Sequence, residues 1–320
     1  MRTKKELARL QHLPLEEKIA LTKLRITEWY EHYEGNVHVT FSGGKDSTVL
    51  LTIARELYPD ILAVYVDTGL EFPEVKQHVK TFPNVEILRP EMNFRQVIDT
   101  YGFVYPSKDV AYSIRRAKSG KKWAIDQLNG VNKDGSYSEF RQRYKKWAYL
   151  MNAPFNIDDR CCEIMKEKPL RDFERRTKSK PIIGIMASES NRRMKAWERT
   201  GCNAFDSDKP KSKPLSFWTE QDILAYIVKY GIKIPSVYGD IVKDKKGKYK
   251  TTGEQRTGRM FCLIGAHLDK ENRFQRMAKT HPNIYKYCME QLGIREVLEW
   301  LKIPYKPVDD GQINLFDEEK

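Results

Sequence analysis

No stretch of the sequence approaches the roughly 18 consecutive apolar residues that span a bilayer, which excludes a membrane helix and a membrane partner. The first residues, Met1 to Leu10, are charged and lack the apolar centre of a secretory leader, so a cytoplasmic protein is expected. Cysteine is scarce: five residues, an odd number with Cys161 and Cys162 adjacent, make a poor disulfide framework and raise metal or redox chemistry instead. The Walker A pattern, G-x-x-x-x-G-K-[ST], is also missing, so any phosphate site must be built another way.

What remains is ample for a core. The chain has 320 residues and 40% apolar content, enough for one large α/β domain with a smaller region appended. Its formal net charge of +13 favours a polyanionic partner, whether nucleic acid or only nucleotide, because basic side chains displace counterions condensed on phosphates.

Apolar spacing from Leu15 to Tyr33 predicts an amphipathic helix within an N-terminal segment, 1–34. A main domain over 35–230 follows. In it Val37 to Phe41, Ile61 to Val66, Val85 to Leu88 and Pro181 to Met186 read as strands, and helices are expected from about Asp46 to Leu57 and from Glu71 to Thr81. Strands alternating with helices imply a doubly wound, mainly parallel sheet covered on both faces. Thr219 is a fitting N-cap for a helix running to Tyr230. From 231 to 303 the sequence suggests a hairpin, Ile241–Val242 with Tyr249–Lys250, and then a helical cap from Arg273 to Leu301; 304–320 reads as a loose tail.

At about 105–150 the pattern changes to a helical insertion. Between Lys108 and Lys146 eleven Lys or Arg stand against four acids, a local +7, with Tyr112, Trp123, Phe140, Tyr144 and Trp147 between or beside them. Aromatic faces among cations suit exposed bases and their backbone, so nucleic acid is the partner expected here. The bland alternative is that the aromatics form the insertion's own core while the lysines face solvent.

The most specific signal is Ser42-Gly43-Gly44-Lys45-Asp46-Ser47, between a strand and a helix. That geometry points several backbone N–H groups and the positive end of a helix at one anion, and the missing Cβ atoms let a phosphate approach the main chain. Lys45 would add charge, and Ser42 and Ser47 would add hydroxyl donors.

This loop resembles the SGGxDS loop of the PP-loop ATP pyrophosphatases, in the adenine nucleotide α-hydrolase-like superfamily. The resemblance extends further. Val66-Asp67-Thr68-Gly69-Leu70-Glu71-Phe72-Pro73-Glu74 is similar to the VDTGxxFPE segment of the phosphoadenosine phosphosulfate (PAPS) reductase-like branch. Gly184 to Arg193 resembles its GxRxxESxxR segment, with Met186 where arginine is usual, and Pro214 to Trp218 with Asp222 resembles its PxxxWxxxD stretch. Together these cover roughly Val37 to Leu268.

The resemblance implies binding of Mg2+ and of ATP through its β and γ phosphates, with attack of an acceptor on the α phosphorus. Ser42, Gly43, Gly44, Lys45, Asp46 and Ser47 would hold pyrophosphate, Asp67 and Gly69 would lie near nucleotide and metal, and Arg193 and Arg256 would steady phosphate charge. Lys45, Asp46, Asp67 and Arg193 are the expected catalytic residues. Sulfonucleotide reductases carry an altered phosphate loop and a catalytic cysteine in a C-terminal ECGLH-like tail, whereas this chain keeps Lys45 and Asp46 and has no cysteine after Cys288. Those departures turn the expectation toward ATP-consuming members, such as the PP-loop subunit of DNA phosphorothioation systems. The expected reaction is adenylylation of an acceptor coupled to sulfur transfer, with a sulfur donor protein as partner. Two rivals stay open: a sulfonucleotide reductase, and a nucleotide-sensing, nucleic-acid-binding protein without turnover.

Cluster-bearing relatives show a CC pair followed far downstream by RTGCxxC, four thiolates for one [4Fe–4S] cluster. Here Cys161, Cys162 and Cys262 match three positions and Arg259 stands at the fourth. A three-thiolate cubane, a site completed by Cys202 or His267, a lost cluster with inert thiols, and zinc are all open readings, though adjacent cysteines fit zinc chelate spacing badly. Cys288, in an apolar helical pattern, reads as core. Gln312-Ile313-Asn314-Leu315-Phe316 resembles the QxxLF peptide that docks on the bacterial sliding clamp, or else a tail folded onto its own domain. A homodimer is a further assembly considered.

Overall fold

A computed structural model describes residues 2–307. The Gln312–Phe316 peptide lies outside the described residues. In chain order the elements are α1 (Lys4–Gln11), α2 (Leu15–His32), β1 (Val37–Thr40), α3 (Lys45–Leu57), β2 (Leu62–Val66), α4 (Pro73–Lys80) and β3 (Val85–Leu88). Next come α5 (Phe94–Tyr101), α6 (Lys108–Lys118), α7 (Lys122–Asn129), α8 (Arg141–Lys145), α9 (Lys168–Thr177), β4 (Lys180–Ile183) and α10 (Asn191–Thr200). The chain ends with β5 (Asn203–Ala204), β6 (Lys211–Ser212), α11 (Glu220–Tyr230), β7 (Ile241–Lys243), β8 (Tyr249–Thr251), α12 (Arg273–Thr280), α13 (Pro282–Lys286) and α14 (Ile294–Trp300).

The chain forms two compact units. The first comprises Met1–Pro90 with Lys166–Thr257, and the second Glu91–Met165 with the segment from Gly258 onward. In the first unit six strands make one sheet in the order β3-β2-β1-β4-β6-β5, and only β5 runs antiparallel to its neighbour. The fold is therefore the expected mainly parallel α/β sheet with helices. β2 is a near-continuous apolar run, and β1 alternates valine with His38, which is buried, and Thr40, because helices cover the sheet: Val39, Ala63 and Val64 have no exposed surface, nor do Leu50, Leu51 and Ile53 on α3.

Helix α2 closes this unit by packing rather than by chemistry. Ile26 and Trp29 are fully buried, and the Trp218 indole N–H donates to Thr22 Oγ1 at 2.9 Å. Buried Lys18 pairs with Asp222 at 2.7 Å. Asp222 also accepts from the backbone N–H and the hydroxyl of Thr219, completing the capping box that starts α11. Trp218 and Asp222, part of the matched PxxxWxxxD stretch, thus hold helices together here.

The chain order decides where a ligand can sit. From β1 it winds through β2 to β3 on one side, while β4 lies on the other, so the sheet changes direction between β1 and β4. Ligands bind at such a switch point, outside the carboxyl ends of the strands. The SGGKDS loop follows β1 and the Gly184–Arg193 segment follows β4.

In the second unit α6, α7 and α8 form the insertion. The Ser107 hydroxyl caps α6, Ser113 Oγ donates to Gln127 Oε1 at 2.8 Å to tie α6 to α7, and Asp109 accepts from the Tyr144 hydroxyl at 2.5 Å to tie α6 to α8. The helical reading of Arg273–Leu301 is broken in detail. α12 ends before Pro282, which opens α13, a π turn spans Tyr287–Gln291, and left-handed Gly293 starts α14.

Candidate nucleotide site

Gly43 adopts φ +72°, and a Cβ there would lie 2.7 Å from both Val75 Cγ1 and Val79 Cγ2, so only glycine fits this turn. Gly44 then caps α3 in extended conformation. Ser47 Oγ donates to the Gly44 carbonyl at 2.9 Å and accepts from the Ser42 N–H at 3.2 Å, with Ser42 Oγ 3.0 Å away. The loop is therefore shaped by its own hydroxyls before any ligand arrives. Gly184, just past β4, backs it closely: a Cβ there would be 3.3 Å from the Asp46 carbonyl oxygen.

Lys45 is only 3% exposed, and its charge is already engaged. Nζ donates to the Gln255 carbonyl at 2.8 Å, lies 3.3 Å from Glu220 Oε1, and sits 5.2 Å over the Tyr238 ring. Its backbone N–H, one of the donors a phosphate would use, is taken by the Tyr238 hydroxyl at 3.1 Å, which also meets Thr257 Oγ1 at 2.9 Å. Tyr238, Gln255, Thr257 and Glu220 are site residues that sequence reasoning missed. They lie about 175 to 210 positions from the loop; Glu220 and Thr257 fall inside matched segments without being singled out there, and nothing local marks Tyr238 or Gln255.

Asp46 is the electrostatic centre. Burial raises its carboxyl above the ordinary value and Glu220 adds to this, while Lys45, Arg256 and Arg193 pull the other way. Its Oδ1 is buried with no hydrogen-bond partner. An unsatisfied buried carboxylate oxygen is costly unless a ligand supplies the partner, so this atom fits a bound cation.

Lys45, Asp46, Glu189 and Arg256 line one cleft of about 320 Å3, together with Ser188, Glu220 and Lys248. Glu189 organises the cations: it accepts from Arg193 and from the Met186 N–H at 3.0 Å, and Arg256 Nη1 lies 3.7 Å from its other oxygen. Burial and neighbouring Arg256 both lower the Arg193 guanidinium's affinity for its proton, offset in part by Asp46. Of the expected site residues, the structure gathers Lys45, Asp46, Arg193 and Arg256 beside the Ser42–Ser47 loop.

Asp67 does not line that cleft. It ends β2 as expected, but pairs with Lys76 at 2.8 Å and accepts from the Gly69 N–H at 3.1 Å. Burial alone would raise its pKa, yet these two partners outweigh burial and lower it. Gly69 at φ +79° has open space around its Cβ position, so its role is to make the turn.

The cysteines of the second unit are not assembled for a metal. Among the described residues no group of three or more His, Cys, Asp or Glu is placed to hold one. Arg259 Nη1 instead approaches Cys161 Sγ at 3.8 Å. Cys161 is buried, and burial pushes its thiol up to about 12 despite that guanidinium. Cys162 and Cys262 act electrostatically on Cys161, but Arg259, at the sequence position where the resemblance places the fourth cysteine, is the group that approaches its sulfur. Cys288 is fully buried, as expected of a core residue.

A mainly parallel sheet with a glycine-built loop and a cleft lined by basic and acidic side chains at its switch point is the architecture of a nucleotide-binding α/β protein. The chain belongs to the phosphoadenosine phosphosulfate reductase domain family, which matches residues 36–103 and 116–253, and so to the PP-loop, adenine nucleotide α-hydrolase-like group. It is 26% identical over 208 residues to an adenosine 5'-phosphosulfate reductase of Staphylococcus epidermidis, covering 63% of this chain and 65% of that protein. An uncharacterised protein of Methanocaldococcus jannaschii is 29% identical over 147 residues, 41% of this chain and 35% of that protein. The chain thus spans less than two thirds of the length of either relative. A solved phosphoadenylyl-sulfate (PAPS) reductase from Candida auris superposes with TM-score 0.39 at 12% identity, covering 78% of this chain and 98% of that one. No helix among the described residues is long and apolar enough to cross a membrane.

Proposed function

We propose that this protein is an ATP-dependent adenylylating enzyme, which cleaves ATP to pyrophosphate and transfers AMP to an acceptor. One observation carries the reading. The Ser42–Ser47 loop keeps Lys45 and Asp46 at the N-terminus of α3, beside a cleft lined by Arg256. A β,γ-diphosphate is the ligand that matches a row of amides, one ammonium and paired guanidiniums.

The loop amides and Lys45 would hold the β and γ phosphates, leaving the α phosphorus open to the acceptor. Charge builds on the departing pyrophosphate as the bond to the α phosphorus breaks, and Lys45, Arg193 and Arg256 would stabilise it in place. Mg2+, when bound, neutralises phosphate charge, and Asp46 with its unpartnered oxygen would hold it. A nucleophilic sulfur of a donor protein would then attack the adenylylated acceptor, the new bond to sulfur forming as the bond to AMP breaks and AMP leaves.

A second reading, reduction of a sulfonucleotide, is favoured by the names of the Staphylococcus relatives. It requires a nucleophilic thiolate, and burial pushes the thiols of Cys161, Cys202 and Cys288 upward. Incubating the protein with Mg-ATP separates the two: adenylylation yields AMP and pyrophosphate, whereas the reductase yields neither and instead releases sulfite from a sulfonucleotide and a dithiol reductant.

A further inference from the structure

We infer that the helical insertion of the second unit carries a binding surface for single-stranded nucleic acid, centred on Tyr137, Phe140 and Arg141 and continued by Tyr112, Arg116 and Trp123. As the docking surface of the acceptor this rests on the adenylylation reading; as a binding surface it stands on its own geometry.

Rings that formed the insertion's own core would be buried. Tyr137 is 71% exposed, Phe140 66% and Trp123 42%. The core of the insertion is made instead by small and aliphatic residues, Val110, Ala111, Ile114, Ala124 and Leu128. The rings of Tyr137 and Trp123 are also held, not loose. Gly130 ends α7 at φ +74°, a Cβ there would lie 2.5 Å from Arg141 Cβ, and the following turn closes through the Val131–Tyr137 bridge and the Asn132 N–H donating to the Ser136 carbonyl at 2.8 Å. This turn sets Tyr137 under the Arg141 guanidinium, whose Cζ lies 5.0 Å from the ring centroid. Arg116 likewise stands 5.3 Å from the Tyr112 ring, which packs on Trp123 with centroids 5.7 Å apart.

The charge is equally specific. Arg115, Lys122 and Arg143 are neutralised by Asp159, Asp126 and Asp109. Arg116 and Arg141 have rings as partners and no ion-paired acid among the described residues, so their charge remains available. Exposed Tyr137 beside the unneutralised Arg141 and half-buried Tyr112 beside Arg116, with Phe140 and Trp123 as further exposed faces, match stacked bases with their phosphates, and every base has a π face. A duplex, whose bases are already stacked on each other, offers nothing for Tyr137 or Phe140 to stack on.

The test is fluorescence anisotropy of the full chain, without nucleotide, on labelled DNA of about 16 nucleotides, the RNA of the same sequence, and the DNA duplex. Single strands should bind with affinity falling steeply as salt rises. Tyr137→Ala and Phe140→Ala should each weaken binding about tenfold, and Arg141→Glu more. The DNA and RNA arms distinguish the two sources of the same chemistry. Absence of binding at low ionic strength, or binding that the two alanine variants leave unchanged, overturns the surface. Pyrophosphate release from ATP by the same variants is scored separately. Binding without release leaves the surface standing and removes the reaction, and release without binding does the reverse.

Discussion

Lys45 is bound to its own chain before any phosphate arrives, and that fact shapes what single substitutions should do. Its Nζ and backbone N–H are held by Gln255, Glu220 and Tyr238, so a triphosphate must displace protein partners instead of water. Tyr238→Phe removes the acceptor of the Lys45 N–H and should tighten ATP binding several-fold while costing about 1 kcal/mol of stability. Isothermal titration and urea unfolding read the two effects. Weaker ATP binding in this variant would mean that Tyr238 contacts the nucleotide itself. A second residue-scale outcome concerns pH. His38 is fully buried, Nδ1 pairs with Ser179 Oγ at 2.9 Å, and burial lowers its pKa to about 4. Because the unfolded chain then binds the proton first, stability should fall as pH drops from about 6.5 to 4, by about 3 kcal/mol from this group. His38→Leu should lose that part of the pH dependence in thermal melts at pH 7 and pH 4.5; an unchanged dependence would show that another group is responsible.

Among the elements, the loop between β1 and α3 depends most on one residue type. Gly43→Ala forces a side chain into left-handed backbone and into Val75 and Val79, and should cost roughly 2 to 4 kcal/mol in denaturant unfolding. A loss below about 0.5 kcal/mol would mean that the turn relaxes freely. This loop was legible in the sequence because its chemistry is local: strand, two glycines, helix. So were β1, β2, β3 and the Thr219 cap, which announce themselves by short stretches rich in valine, isoleucine and leucine and by a capping residue. β5 and β6, two residues each, carry too little pattern to be read, since edge pairing alone defines them. The site was half legible for the same reason. Lys45, Asp46 and the Glu189–Arg193 turn lie in matched segments, whereas Tyr238 and Gln255 reach the loop only through the tertiary fold. The cysteines are the converse case: spacing suggested a ligand set, and among the described residues no group of three is placed to hold a metal, while Arg259 approaches Cys161.

At the scale of the whole molecule, chemistry and charge are separated in the chain. The anion loop and its cleft belong to the first unit, and the net positive insertion belongs to the second. Adenylylation needs only the first for its phosphates, so the partial reaction on ATP is the part that can be examined without knowing the acceptor. The most direct measurement follows the fate of ATP labelled at the α phosphorus, with Mg2+, in the wild type and in Lys45→Ala. The account predicts pyrophosphate with AMP or an AMP-bearing acceptor, and a loss of roughly ten- to a hundredfold in Lys45→Ala, the size of one charge-assisted phosphate contact. Formation of ADP and phosphate, or turnover untouched by Lys45→Ala, would contradict it.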